Sequence, residues 1–112
     1  MDSILTSIKK LLGIVEDYEQ FDPDIIAHIN NVFMTLTQIG VGPSDGFVIT
    51  DKSSEWSDFV QDTSTMKAEW IKSYVYMKVR LIFDPPSNNA VTEQFNKSIE
   101  ELEWRFSVAA ES

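Results

Sequence analysis

The stretch Lys72-Ser73-Tyr74-Val75-Tyr76-Met77-Lys78-Val79-Arg80-Leu81-Ile82-Phe83-Asp84-Pro85-Pro86 decides how this chain folds. It is apolar almost all round, yet too short and too charged to cross a membrane, which takes about 20 consecutive apolar residues. An isolated copy could not hide that surface from water, so the segment has to be the packed centre of a small domain or of an assembly. From about Ser64 to Phe83 the chain contains no Gly or Pro. That length favours a helix, although Tyr74, Val75, Tyr76 and Val79 are β-prone. On a helical wheel Met66, Trp70, Tyr74, Met77 and Leu81 make one face, and Ala68, Ile71, Val75, Val79 and Ile82 make nearly the opposite one. A helix with two apolar faces packs on two sides. Asp84-Pro85-Pro86-Ser87 ends it, because the residue before a proline avoids the α region.

The flanking segments supply the partners. Toward the amino terminus, Asp2 and Ser3 can cap a short helix whose Ile4, Leu5, Ile8, Leu11 and Leu12 recur at one-face spacing, with Gly13 as its stop. After an acidic link, Asp22-Pro23-Asp24 combines a capping Asp, a proline suited to the first turn and a second acid at the positive helix end. The helix that starts there carries Ile25, Ile26, Ile29, Val32, Phe33, Leu36 and Ile39 within an arc of about 140°, and Gly40-Val41-Gly42-Pro43 closes it. Beyond the prolines, a last helix from about Asn89 to Ala110 aligns Val91, Phe95, Ile99, Leu102, Phe106 and Ala109 within about 100°. Trp104 and Val108 lie off that stripe, four residues apart.

Between the second helix and the central one runs a connection of roughly two dozen residues, long for a compact domain. Ser44-Asp45-Gly46 reads as a turn, Phe47-Val48-Ile49-Thr50 as a short strand-like piece, Asp51 to Ser54 as another turn, and Ser54 to Phe59 as about one helical turn. With isolated aromatics and little local surface to bury, this connection is expected to order on assembly. The fold class is therefore all-α: a small bundle of about four helices with a long loop carrying a strand-like segment and a short helical turn.

At 112 residues, 43% hydrophobic and 12% aromatic, the chain is expected to form a single domain spanning 1–112 with a real core. It contains 0 cysteines, which excludes a disulfide framework or a thiolate metal site and suits a reducing cytosol. No basic and apolar leader pattern precedes the first helix, so a soluble, unexported chain with no membrane partner is expected. The formal charge of -9 argues against a grip on nucleic acid, which needs clustered Lys and Arg. The acids crowd at Glu16, Asp17, Glu19, Asp22 and Asp24, whereas Lys67, Lys72, Lys78 and Arg80 fall on the central segment.

Chemistry has little to work with. His28 is the only histidine, so one chain cannot build a Ser-His-Asp triad or a His-rich metal site. Glu100, Glu101 and Glu103 diverge on one helix, and Lys97 to Glu101 is spaced for an i,i+4 ion pair on a solvated face. The Gly40-Val41-Gly42-Pro43 signal lacks the Lys-Ser/Thr ending of a P-loop and reads as a helix stop. No catalytic, cofactor-binding or metal residue is assigned. Aromatics outside a local core are over-represented at interfaces, which makes Phe47, Trp56, Phe59 and Trp104, with the aliphatic Ile49 and Val108 beside them, the candidate interface residues.

Several segments together resemble one viral family: Ile8 to Gly13, the Asp22-Pro23-Asp24 helix ending in Gly40-Val41-Gly42, Tyr76 to Arg80 running into Phe83-Asp84-Pro85-Pro86, and Ile99 to Arg105. Over nearly its whole length the chain looks like a head-tail connector, or adaptor, of tailed phages and prophages. The resemblance implies a small α-helical virion protein that forms a homo-oligomeric ring, commonly of twelve copies, beneath the portal protein. DNA would pass through its channel without sequence-specific binding, toward a downstream neck or tail protein. The subunit would sit at the head-tail junction of the virion, after assembly in the host cytoplasm, and would be neither an enzyme nor cofactor-dependent. The alternatives are another neck component, a head-completion or tail-terminator protein, or a small cytosolic regulator that binds a host protein.

Overall fold

The structure, a computed structural model, describes residues 3–60 and 65–111, without the side chains of 65, 66 and 111. The described residues form five helices and no strand: α1 (Ile4–Leu11), α2 (Asp22–Ile39), α3 (Trp56–Phe59), α4 (Thr65–Phe83) and α5 (Asn89–Glu111). The all-α class expected from periodicity is thus what the chain adopts. The proposed cap Asp2, the proposed helix start at Ser64 and the side chain of Met66 lie outside the described residues.

Helix ends follow the local chemistry. Ser3 caps α1, its hydroxyl accepting from the Thr6 amide at 3.3 Å. Asp22 is the first residue of α2 rather than its cap, and Phe21 occupies the cap position. The reason is that the Asp22 carboxylate is committed elsewhere, to the side chain of Lys9 at 2.9 Å. Gly40 closes α2 at φ 105°, and the Val41 amide donates to the Leu36 carbonyl at 2.8 Å.

α4 is the packed centre. It lies against α2 on one side and α5 on the other, and α1 touches both α2 and α4. Ile71, Tyr74, Val75 and Val79 are fully buried between these neighbours, while Trp70, Met77 and Leu81 are half-buried. The second apolar face ends at Val79, because Ile82 remains 59% exposed. Antiparallel packing follows from the short Asp84–Asn88 turn, and it sets Tyr76 against Phe95 near one end and Trp70 against Arg105 near the other.

The strand-like reading of Phe47 to Thr50 is corrected: among the described residues this segment belongs to no strand. Its backbone pairs instead with a side chain. Asn30 of α2 accepts from the Ile49 amide at 2.8 Å and donates to the Ile49 carbonyl at 3.0 Å, which satisfies both peptide groups without a second strand. The chain then returns to α1, where the Ile4 amide donates to the Ser54 carbonyl at 2.9 Å and Ser3 bridges Glu55.

Candidate assembly surface

The six candidate contact residues divide into two groups. Ile49, Trp56 and Phe59 are 1%, 5% and 1% exposed and form part of the core of the single chain. Phe33 of α2 is their anchor: Phe59 stacks on it at 4.4 Å between centroids, and Trp56 meets it edge-on at 6.4 Å. Phe47, half-buried, closes the cluster against Phe33 at 5.5 Å and Phe59 at 5.4 Å. The Trp56 indole N–H donates to Ser7 Oγ at 3.2 Å, so its polar atom is also satisfied within the chain. Gly42 makes this packing possible: its φ is +84°, and a Cβ there would stand 2.5 Å from the Phe59 ring. The expectation that the loop has too little local surface to bury is therefore corrected, since its aromatics bury against α2 and α1 as well as against one another.

Trp104 and Val108 are different, standing 66% and 45% exposed on α5. The rotation of α5 is pinned by contacts on its inner side. The buried Tyr74 hydroxyl of α4 donates to Glu103 Oε2 at 2.7 Å, and Phe106 packs edge-on against the Tyr74 ring at 5.6 Å. Burial first, and then the Glu103 carboxylate, push the Tyr74 phenol well above the usual tyrosine range. Near the end of α5, Ala110 lies so close to Gly40 that a Cβ on that glycine would meet it at 2.9 Å. With Tyr74, Glu103 and Phe106 facing inward, Trp104 has to face out.

Between α4 and α5 runs a groove of about 500 Å³, lined by Trp70, Tyr76, Met77, Phe95, Ser98 and Leu102 among others. Arg105 lies over the Trp70 ring at 5.2 Å and pairs with Glu101 at 2.7 Å. Glu101 thus binds Arg105, not Lys97 as the spacing suggested; both are i,i+4 neighbours, and the arginine is held in place by the indole. Arg80 lies over Phe95 at 5.5 Å and donates to the Tyr76 hydroxyl at 2.9 Å.

Sequence reasoning missed Lys9. Its side chain is 3% exposed, and Nζ donates to the carbonyls of Glu16 at 2.9 Å and Tyr18 at 2.7 Å. Nζ also stands 2.9 Å from Asp22 Oδ1, off hydrogen-bond alignment, so that contact is Coulombic. One buried ammonium therefore clamps α1, the acidic link and the start of α2. A signal was present: Lys9 is four residues after Leu5 and three before Leu12, inside the apolar stripe of α1. Clamped in this way, the link exposes Val15, Tyr18 and Phe21, with Phe21 edge-on to Phe83 at 5.3 Å.

The phage connector protein family model matches residues 4–112. The chain belongs to that family. No curated protein and no solved structure matched it. The match spans every helix of the fold, so the family reading takes in the α4–α5 face, the clamped link and the Asn30-held loop alike. As a phage connector, the protein is a structural component of the virion that meets other head or tail proteins, and no helix among its described residues is long and apolar enough to cross a membrane.

Proposed function

We propose that this connector is the adaptor subunit of the head-tail junction: copies of the chain form a closed ring beneath the portal and carry the DNA channel on toward a downstream neck or tail protein. The observation that carries the reading is the match to the phage connector family across residues 4–112. The surface supports it. Trp104 is a large aromatic held outward on a rigid helix, and such side chains anchor interfaces when a partner covers them. Many modest contacts of this kind become strong once a template gathers the copies, so the portal would serve as the assembly platform. The net charge of -9 suits a channel component, because an acidic wall repels a passing polyanion rather than holding it. The role is structural, with affinity in place of catalysis.

Electron microscopy of the protein mixed with the cognate portal tests this. A stoichiometric layer beneath the portal is expected. A preparation in which no layer forms over a range of concentration and salt, while the protein binds preassembled connectors or tails, would make it a completion or terminator protein instead.

A further inference from the structure

Two features of the surface are unexplained by the fold of one copy. The first is Arg80. In a chain with 18 acidic and 9 basic side chains, its guanidinium has no carboxylate partner among the described residues. Its partners are the Tyr76 hydroxyl, the Asp84 carbonyl and the face of Phe95, all neutral. Tyr76 and Phe95 line the α4–α5 groove, where the only charged lining residues, Glu101 and Arg105, neutralise each other. This end of the groove is therefore aromatic and partly open, and beside it stands a guanidinium that no carboxylate pairs among the described residues.

The second is the link after α1. Val15, Tyr18 and Phe21 are exposed there, interleaved with the exposed acids Glu16, Asp17 and Glu19, none of which has an ion pair among the described residues. Burying a lysine is costly unless it is paired and hydrogen-bonded, and Lys9 finds two of its oxygen partners on this surface segment. The Lys9 bonds to the Glu16 and Tyr18 carbonyls fix the backbone so that these side chains point outward, which removes ordering entropy from any later docking step.

Acidic and apolar on one surface, basic and aromatic on another, the two are complementary and share no residue. We infer that the Val15–Phe21 link of one copy docks on the Tyr76–Phe95 end of the α4–α5 groove of a second copy, its acids meeting Arg80 there. Such a contact is heterologous, each copy offering its link to one neighbour and its groove to the other, and repetition closes a ring when the rotation per copy divides a full turn. The inference rests on the ring reading above and names the surfaces that make it.

Because the chain has 0 cysteines, single-cysteine variants report the contact cleanly. Tyr18→Cys and Ser98→Cys proteins, mixed with portal and mildly oxidised, are expected to give 18–98 cross-linked dimers, with few 18–18 or 98–98 products. A portal-bound ring without the 18–98 product overturns this contact and leaves the adaptor reading intact. Absence of any ring overturns the adaptor reading and the contact with it. Charge reversal supplies an independent arm. Arg80→Glu alone, and Asp17→Lys with Glu19→Lys alone, are each expected to weaken ring formation at least about tenfold. A one-to-one mixture of the two should restore it, since every contact then pairs opposite charges. Failure of the mixture to assemble, with both variants retaining wild-type helical circular dichroism, overturns the inference.

Discussion

Trp104 and Phe59 are both large aromatics, yet one is 66% exposed and the other 1%. Truncating them should separate assembly from folding. Phe59→Ala removes the ring that stacks on Phe33 and is expected to lower the unfolding free energy by about 3–5 kcal/mol, as core phenylalanine truncations do. Trp104→Ala should leave thermal unfolding close to wild type and weaken assembly by about 2 kcal/mol or more, the usual cost of losing an interface anchor. Thermal denaturation and a portal-binding titration read the two effects. A large drop in melting temperature for Trp104→Ala would return that residue to the core. Tyr74 makes a second residue-level prediction. Its phenol is held protonated above the range where an unfolded tyrosine ionises, near pH 10. Above that pH the unfolded chain releases a proton that the folded chain keeps, so stability falls as pH rises. Tyr74→Phe should lose the Glu103 hydrogen bond at neutral pH and show a flatter alkaline decline, as measured by urea unfolding from pH 9 upward.

At the scale of elements, the Val41–Val60 connection behaves as part of the fold. Its aromatics share the Phe33 cluster, and Asn30 holds Ile49 through two hydrogen bonds. Hydrogen exchange should find the Ile49 and Ile4 amides protected in the free protein, since both are bonded within the chain. Asn30→Ala removes a partner from two peptide groups and should cost about 1–3 kcal/mol, with faster exchange concentrated around Ile49. Equal exchange at Ile49 in wild type and variant would show that the side-chain pairing does not hold the loop. Local turn signals did reveal where this connection bends, because Gly and Asp turns are encoded by neighbouring residues. They could not reveal that its apolar residues are spent on α2, nor that Asn30, at the margin of a helical stripe, substitutes for a strand.

Over the whole molecule, buried residues from all five helices join one cluster, from Ile4 in α1 to Phe106 in α5. A single cooperative thermal transition is therefore expected, with calorimetric and van't Hoff enthalpies in agreement. Two resolved transitions would mean that the α1–loop region and the α4–α5 pair unfold independently. The helical class, the glycine stop of α2, the proline break after α4, the two-sided centre at α4 and the outward position of Trp104 were all determined by the sequence alone. These depend on short-range chemistry, on 3.6-residue periodicity, on glycine and proline, and on offsets of 100° per residue. The tertiary structure decided what periodicity cannot encode. It buried Lys9 on three oxygen partners, turned Trp56 and Phe59 from candidate contacts into core, gave Glu101 to Arg105 rather than Lys97, and left Arg80 on the Phe95 ring with no carboxylate partner among the described residues. Each of these depends on which distant groups arrive together once the core has closed, and a side chain's partner across space leaves no periodic trace in its own segment.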